Sequence, residues 1–323
     1  MGALHVLKPG LLTTIQDRGR WGLQSRGVPV AGPMDPCAHR VANAIVGNNP
    51  DAATLEVTLL GPELEFEDQR LVAVAGAEFE LTVDGQSAPQ ATSFVVGAGG
   101  KLRFGRRIRG TRAYVAIAGG VAVAPTLGSR ATHLVSAMGG LDGRALKAGD
   151  CLPLGEWDAR RPFVADRPVR SITPIATGDA QIRVLPGPQL ECFAEDALAT
   201  LQSRPYTVGV KSDRMAFRLE GARLRHSRGA DTISDATPIG SLQVPASGLP
   251  ILLMADRQTT GGYPKLATVI SADIGAAGQL GPGDTLSFVV CSPRDAMAAL
   301  IVQERALMAI EGPGEGAGWA VES

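Results

Sequence analysis

Aromatic side chains make up only 4% of the 323 residues, and 31 lysines and arginines nearly cancel 32 aspartates and glutamates. Without a charge excess of either sign, nothing electrostatic favours nucleic acid or an anionic membrane as a partner. The four cysteines, Cys37, Cys151, Cys192 and Cys291, are far apart and form no C-x-x-C pair. That spacing excludes a zinc ribbon and a disulfide-built scaffold, and it fits a reducing, cytoplasmic setting. No apolar run approaches the roughly 18 residues of a membrane span, and MGALHVLKPGLLTT lacks the basic-then-apolar order of a secretory leader. Several catalytic signatures are missing: G-x-x-x-x-G-K-[ST] (Gly100-Lys101 is followed by Leu102), G-x-G-x-x-G, H-E-x-x-H and G-x-S-x-G. His5, His39, His133 and His226 show no metal-ligand spacing and read as packing or surface histidines, so no metal site is expected. There is no Met-Lys-Met sequence for covalent biotin.

What the chain does have is punctuation. Forty glycines and 22 prolines separate many short apolar runs, the pattern of a mainly β protein with tight turns. Strands are expected at His5 to Leu7, Thr54 to Leu60, Leu71 to Ala75, Phe79 to Val83, Ser93 to Val96, Lys101 to Phe104 and Arg112 to Ala118. In the second half they are expected at Gln181 to Leu185, Ala222 to Leu224, Gly240 to Val244, Ile251 to Ala255, Leu266 to Ile270 and Thr285 to Val290. Helices are few: Pro36 to Val46, with Asp35 as cap and Pro36 at its first turn; Leu190 to Leu201; and a last one opened by Ser292-Pro293. The length predicts two domains. They are read as an N-terminal β lobe at 1–158, a Pro/Arg-rich linker at 159–174, a C-terminal lobe at 175–311 and a glycine-rich tail at 312–323. An internal echo relates the halves. ATHLVSA at 131–137 is answered by ATVISA at 267–272, and each is followed by an L-x-x-G-D turn, Leu146 to Asp150 and Leu280 to Asp284.

Polar residues gather in four stretches. The first runs from Thr13 to Asp35 and includes Asp17, Arg20 and several glycines that permit close backbone approach to a ligand. The second is Asn43, Gly47, Asn48 and Glu56, where Asn48 is equally a helix-stop residue. In the third, Ser212 to Gly221, Arg214 and Arg218 stand four apart; on a helical turn they form an anion clamp, and otherwise they pair with Asp213 and Glu220. The fourth joins Ser234 to Thr237 and Gly240 to Pro245 with the run from Asp256 to Tyr263, DRQTTGGY, directly after the apolar Ile251 to Ala255. A buried run ending in charged and amide side chains places them on the rim of a sheet. The same residues also make a well-capped hairpin.

The ordered motifs GLLTTIQDRGRWG, GVPVAGPMD, ANAIVGN, AATLEVTLLGP, YVAIAGG and LGSRAT, then RVLPGPQ, SDRMAFRLEG, ISDAT, GSLQVPASGLPILLMADRQTTGGYPKLATV and QLGPGD, cover Leu7 to about Val290. Through them the chain resembles the family of 5-oxoprolinase C subunits, also called allophanate hydrolase subunit 2 or biotin-dependent carboxyltransferase-like proteins. It departs from the family pattern at Ala131, more often serine, and at Ala216-Phe217, more often Gly-Tyr. The resemblance implies two related cyclophilin-like β-barrel lobes with a few short helices. It also implies a component of an ATP-dependent 5-oxoprolinase that opens 5-oxoproline to L-glutamate beside a subunit-B-like and a subunit-A-like protein. ATP, with magnesium, would be bound by the complex rather than by this chain alone, and no biotin would be attached. Phosphorylating the lactam oxygen calls for cationic and amide donors. The residues expected to act are Asp256, Arg257, Gln258 and Thr260, and those expected to bind substrate or phosphate are Arg20, Asp35, Asn48, Arg214, Arg218, Gln243, Gly261, Gly262 and Tyr263. Asp256 and Asp35 are candidates either for a nucleotide-bound metal or for orienting arginines. The alternatives are a urea- or amide-directed carboxyltransferase or allophanate-hydrolase-type subunit, and a non-catalytic binding protein that antagonises a sensor-kinase inhibitor.

Overall fold

A computed structural model describes residues 2–157 and 178–311; the expected linker at 159–174 and tail at 312–323 lie outside them. The first half builds one nine-stranded sheet. Its strands are β1 (Ala3–Lys8), β2 (Leu12–Gln16), β3 (Thr54–Thr58), β4 (Glu63–Phe66), β5 (Arg70–Val83), β6 (Gln86–Ala88), β7 (Ser93–Val96), β8 (Lys101–Ile117) and β9 (Cys151–Pro153). The main path runs β2-β3-β8-β4-β1-β9, with β5 to β7 added along β8. The second half closes a seven-stranded barrel from β10 (Asp179–Pro186), β11 (Tyr206–Val208), β12 (Ala216–Glu220), β14 (Ser241–Gln243), β15 (Ile251–Leu253), β17 (Lys265–Val269) and β18 (Thr285–Val290). A two-stranded ribbon, β13 (Asp235–Ala236) with β16 (Thr260–Gly261), stands beside it. The protein is thus mainly β, and the barrel lobe expected for the second half is present.

Two pairs of expected strands prove to be single long ones. Leu71 to Ala75 and Phe79 to Val83 are parts of β5, and Lys101 to Phe104 and all but the last residue of Arg112 to Ala118 are parts of β8. The break in hydrophobic pattern is a run of register shifts between Gly76 and Leu81, so the strands bend without ending. Gly76 is required there: φ is +90°, and a Cβ would stand 2.4 Å from the Arg112 carbonyl oxygen. The expected helix at 190–201 divides into a 3-10 turn, Leu190–Cys192, and α2 (Ala197–Ser203), and Ala222 to Leu224 is not a strand.

α1 (Pro36–Ile45) begins where expected, with Asp35 Oδ1 accepting the Ala38 amide at 3.0 Å. Its apolar face packs on β5 and β8 through Val41, Ile45, Leu71 and Tyr114. The barrel lobe adds α3 (Ile274–Gly278) and α4 (Pro293–Glu311), and α4 crosses back to α1. Leu307 and Ile310 join the α1 core, while Arg40 forks onto Glu304 and Glu311 at 2.7–2.9 Å. The C-terminal helix therefore fastens one half onto the other.

The echo between the halves has a structural counterpart in its turns. Gly149 donates to the Val6 carbonyl and Val6 to the Asp150 carbonyl, at 2.8 and 2.9 Å; Gly283 and Val208 with Asp284 repeat the pair at 2.8 Å each. Each turn is closed alike, by an Asp carboxylate accepting the amide three residues back at 2.7 or 2.8 Å. The upstream echo does not extend to backbone conformation. Residues 267–269 lie in β17, whereas 131–137 form turns and isolated bridges.

His39, fully buried on α1, gives the fold a pH dependence. Its Nε2 faces the Pro50 carbonyl at 3.2 Å, which fixes the proton there, and Nδ1 accepts from Thr54 Oγ1 at 2.9 Å. Burial pushes its pKa from 6.5 down to about 4. Between those values the unfolded chain binds a proton that the folded chain refuses, so stability falls as pH drops through 6.5 toward 4. From pH 7 to pH 5, urea unfolding should show the native protein losing about 2 kcal/mol more than His39→Gln. Equal losses in the two proteins would remove His39 as the cause.

Candidate functional site

The DRQTTGGY run sits at the end of β15, where the barrel meets the first sheet, and its first two side chains leave in different directions. Asp256 turns toward the sheet. Its carboxylate receives a forked pair from Arg214, Nε and Nη2, both at 3.0 Å. Arg214 also binds Glu56 through Nη1 and the Gly32 carbonyl through Nη2 at 2.6 Å. Glu56 Oε2 accepts from the Met34 amide at 2.8 Å and from the Tyr114 hydroxyl at 2.7 Å. The Tyr114 oxygen in turn accepts from the Asp35 amide at 2.8 Å, and the Asp35 carboxylate accepts from Gln279 Nε2 at 2.8 Å. Every member of this chain is buried, and it stitches β3, β8 and α1 to β12, β15 and α3. Burial works against the Arg214 charge, but Asp256 and Glu56 outweigh it and hold its pKa above the ordinary value. Burial likewise works against the Glu56 charge, and Arg214 with Arg112 outweighs it, keeping the carboxyl below its usual range. Asp35 has no such cation, and burial raises its pKa.

Arg257 points the other way, into a cavity of about 260 Å³ that it lines with Arg18, Trp21, Pro33, Arg40 and Ile239. Among the described residues, only carbonyl oxygens hold it, Thr237 at 2.7 Å from Nε and Met254 at 3.4 Å from Nη1. Burial lowers its pKa to about 10, with the Asp256 charge opposing. A desolvated guanidinium held by carbonyls rather than by a carboxylate hydrogen bond keeps its capacity for an anion. Arg214 and Asp256 line a second cavity of about 270 Å³ with Thr58, Thr111, Leu134 and Val135. Arg20 is buried against the Thr126 and Ala131 carbonyls at 3.3 and 2.6 Å, and its Nη1 has no hydrogen-bond partner among the described residues. It uses the Ala131 carbonyl, which a serine would offer equally, so the departure at Ala131 leaves this contact intact. At the other departure, the Phe217 ring lies 5.6 Å beneath the Arg112 guanidinium.

The rest of the run lies over the barrel wall. Gln258 Nε2 donates weakly to Gln243 Oε1 at 3.4 Å, and Gln243 Nε2 is buried without a partner. Gly261 makes room for them: a Cβ there would come within 2.6 Å of Gln243 Nε2. Thr260 is exposed on the ribbon, the Gly262 carbonyl accepts from Thr232 at 2.7 Å, and Tyr263 is 41% exposed.

Two expected residues do not belong to this arrangement. Ser212 to Gly221 is not helical: it contains β12, in which Phe217 and Leu219 face the core and Arg218 faces solvent, so Arg214 and Arg218 form no clamp. Asn48 is occupied by structure, donating to Asn43 and the Ile117 carbonyl at 3.0 and 2.9 Å and accepting from Gly119 at 2.9 Å. Of the two roles expected for Asp256 and Asp35, Asp256 takes the orienting one, whereas Asp35 orients no arginine and caps a helix. Neither is part of a metal-type cluster, and no group of three or more metal-ligating acidic, histidine or cysteine side chains occurs among the described residues. The donors fit an oxyanion or phosphate instead.

Sequence reasoning passed over Glu56 as an ion-pair partner, along with Tyr114, Gln279 and Lys265. Glu56 and Tyr114 interrupt apolar stretches of β3 and β8, whereas Lys265 opens β17 and Gln279 caps the end of α3. For the first two that interruption was the available signal, since a buried polar group needs a partner. His133, read as a packing residue, is one: Nε2 stands 3.2 Å from the Asp256 carbonyl and Nδ1 2.6 Å from Ser136 Oγ.

Comparison with known proteins places this geometry in a family. Residues 26–290 match the family described as carboxyltransferase domain, subdomain A and B. The chain is 36% identical over 302 residues to the 5-oxoprolinase C subunit of Escherichia coli, covering 94% of this chain and 96% of that one. It is 37% identical to the 5-oxoprolinase C subunit of Haemophilus influenzae, covering 88% and 89%. Among solved structures, the urea amidolyase of K. lactis superposes with a TM-score of 0.89 at 32% identity over 96% of this chain, which spans only 20% of that enzyme. The chain belongs to the carboxyltransferase domain family, subdomains A and B.

Proposed function

We propose that this chain is the C subunit of an ATP-dependent 5-oxoprolinase and that it acts with subunit-B-like and subunit-A-like partners to open 5-oxoproline to L-glutamate. The observation that carries the reading is the end-to-end likeness to the E. coli protein, 36% identical over 96% of its length. A five-membered lactam is a stable amide. Transfer of a phosphoryl group from ATP to its carbonyl oxygen makes that carbon electrophilic. One water adds there, the C–N bond breaks as the nitrogen takes a proton, and a second water displaces phosphate from the resulting acyl phosphate to leave the side-chain carboxylate. The barrier falls where donors already surround the oxygen on which charge develops. In this chain Arg257 and Arg20 can supply such donors, Gln243 and Gln258 can hold another polar group of the substrate, and Thr260, Gly261, Gly262 and Tyr263 shape the approach. Asp256 holds Arg214 and keeps the run in place. ATP and its magnesium bind the assembled complex.

The test is to purify the chain with its two partners and measure ATP-dependent glutamate formation from 5-oxoproline, then to repeat it with urea. Glutamate formation with 5-oxoproline alone supports the reading. The superposition on urea amidolyase favours a second one, a urea- or amide-directed carboxyltransferase served by a separate biotin carrier, and turnover of urea would establish it instead. Turnover of neither would favour a binding protein.

A further inference from the structure

Outside DRQTTGGY, a lysine on the barrel wall shares its face with the unpaired amide of Gln243. Gln243 and Lys265 are register partners across β14 and β17, on the side away from the Leu242 and Leu266 core. The Lys265 side chain is only 3% exposed, yet its Nζ makes one ion pair, at 3.0 Å to Asp235 Oδ2, whose own side chain is 54% exposed. A hydrated, ribbon-borne carboxylate offsets little of the cost of burying an ammonium group. The residue is nevertheless held in place. Its amide donates to Gln189 Oε1 at 3.0 Å, and Gln189 Nε2 reaches Asp235 Oδ2 at 3.4 Å. On the paired strand, Gln243 Nε2 is buried and has no acceptor among the described residues; Gln258 Nε2 has only a 3.4 Å contact, to Gln243 Oε1. Two amide donors thus meet behind Gly261, whose missing side chain leaves them room, and the ammonium reaches Asp235, the register partner of Gly261.

We propose that Lys265, with Gln243 and Gln258, forms a carboxylate subsite that holds the free carboxylate of the cyclic amide while its ring carbonyl reacts. Asp235 occupies the ammonium in the unliganded state and yields it to the substrate. The proposal rests on the 5-oxoprolinase reading and names the residue that reads the acid group. The interaction is charge-assisted, so it separates an acid from its uncharged analogue.

The experiment uses the assembled complex and two probes, 5-oxoproline and its carboxamide, comparing KM and kcat for ring opening. The wild-type complex should prefer the acid in KM on the order of 10- to 100-fold. Lys265→Met should collapse that preference by weakening the acid alone, and Lys265→Arg should keep part of it. A folded, assembled Lys265→Met complex with the preference intact overturns the subsite. Should Lys265→Met fail to assemble, Asp235→Asn decides. Removing the competing carboxylate should lower KM for the acid and leave that for the amide unchanged, and an unchanged acid KM overturns the proposal. A wild-type complex that opens both probes equally well also overturns the subsite alone. One that opens neither overturns the 5-oxoprolinase reading and the subsite with it.

Discussion

Replacing Arg214 by alanine should cost about 3–5 kcal/mol of stability, because it removes the ion-pair partner of two buried carboxylates and leaves Glu56 only the field of Arg112. Glu56 and Asp256 come from opposite halves of the chain, are 1% and 2% exposed, and meet only through this guanidinium. Part of the loss would be relieved by protonation, so the Arg214→Ala protein should be least disadvantaged at acidic pH. The control is a triple variant, Arg214→Met, Glu56→Gln and Asp256→Asn, which removes the stranded charges together with the cation. It should recover most of the loss, since a buried ion network is costly to break and far less costly to replace. Denaturant midpoints for the two variants check this. A single variant within about 1 kcal/mol of wild type would show the network to be dispensable.

Arg257→Ala should behave in the opposite way, with little change in folding and a large one in turnover. The guanidinium makes no ion pair among the described contacts and is held by two carbonyls at the edge of a cavity. Truncation therefore strands no carboxylate. If it donates to the developing oxyanion or phosphate, removing it from the assembled complex should lower ring opening by about 10²–10³-fold. Arg218→Ala, on the solvent face of β12, should leave turnover within about twofold, as surface changes away from a site do. The comparison is made on complexes whose assembly is verified by size. Wild-type turnover by Arg257→Ala would remove Arg257 from the chemistry.

These contrasts show what the chain discloses and what it conceals. Local signals were legible: Asp35-Pro36 at a helix start, Gly-rich turns closed by aspartate, and an apolar run ending in DRQTTGGY at a sheet rim. Each depends on neighbours within a few residues. Partnerships across the fold were not legible. Glu56 and Arg214 lie 158 residues apart, and nothing local in TLEVT or SDRMAF says that one answers the other. The conformation of Ser212 to Gly221 stayed open for a related reason. Four-residue spacing of arginines suits a helix, but the apolar Phe217 and Leu219 alternate with period two and their burial decided the conformation. Lys265 went unremarked because a lysine beside a proline looks like a turn residue until its side chain is seen to be buried.

The mechanism breaks two bonds at the ring carbonyl carbon, one to nitrogen and one to the oxygen that carried the phosphoryl group. The most direct measurement follows that oxygen through turnover by the assembled complex, starting from 5-oxoproline labelled with oxygen-18 at the ring carbonyl. Phosphorylation of the amide oxygen, addition of water, C–N cleavage, and attack of a second water on the carbon of the acyl phosphate deliver the label to inorganic phosphate. Label retained wholly in the side-chain carboxylate of glutamate would mean that the carbon never released this oxygen as phosphate, and would contradict the account.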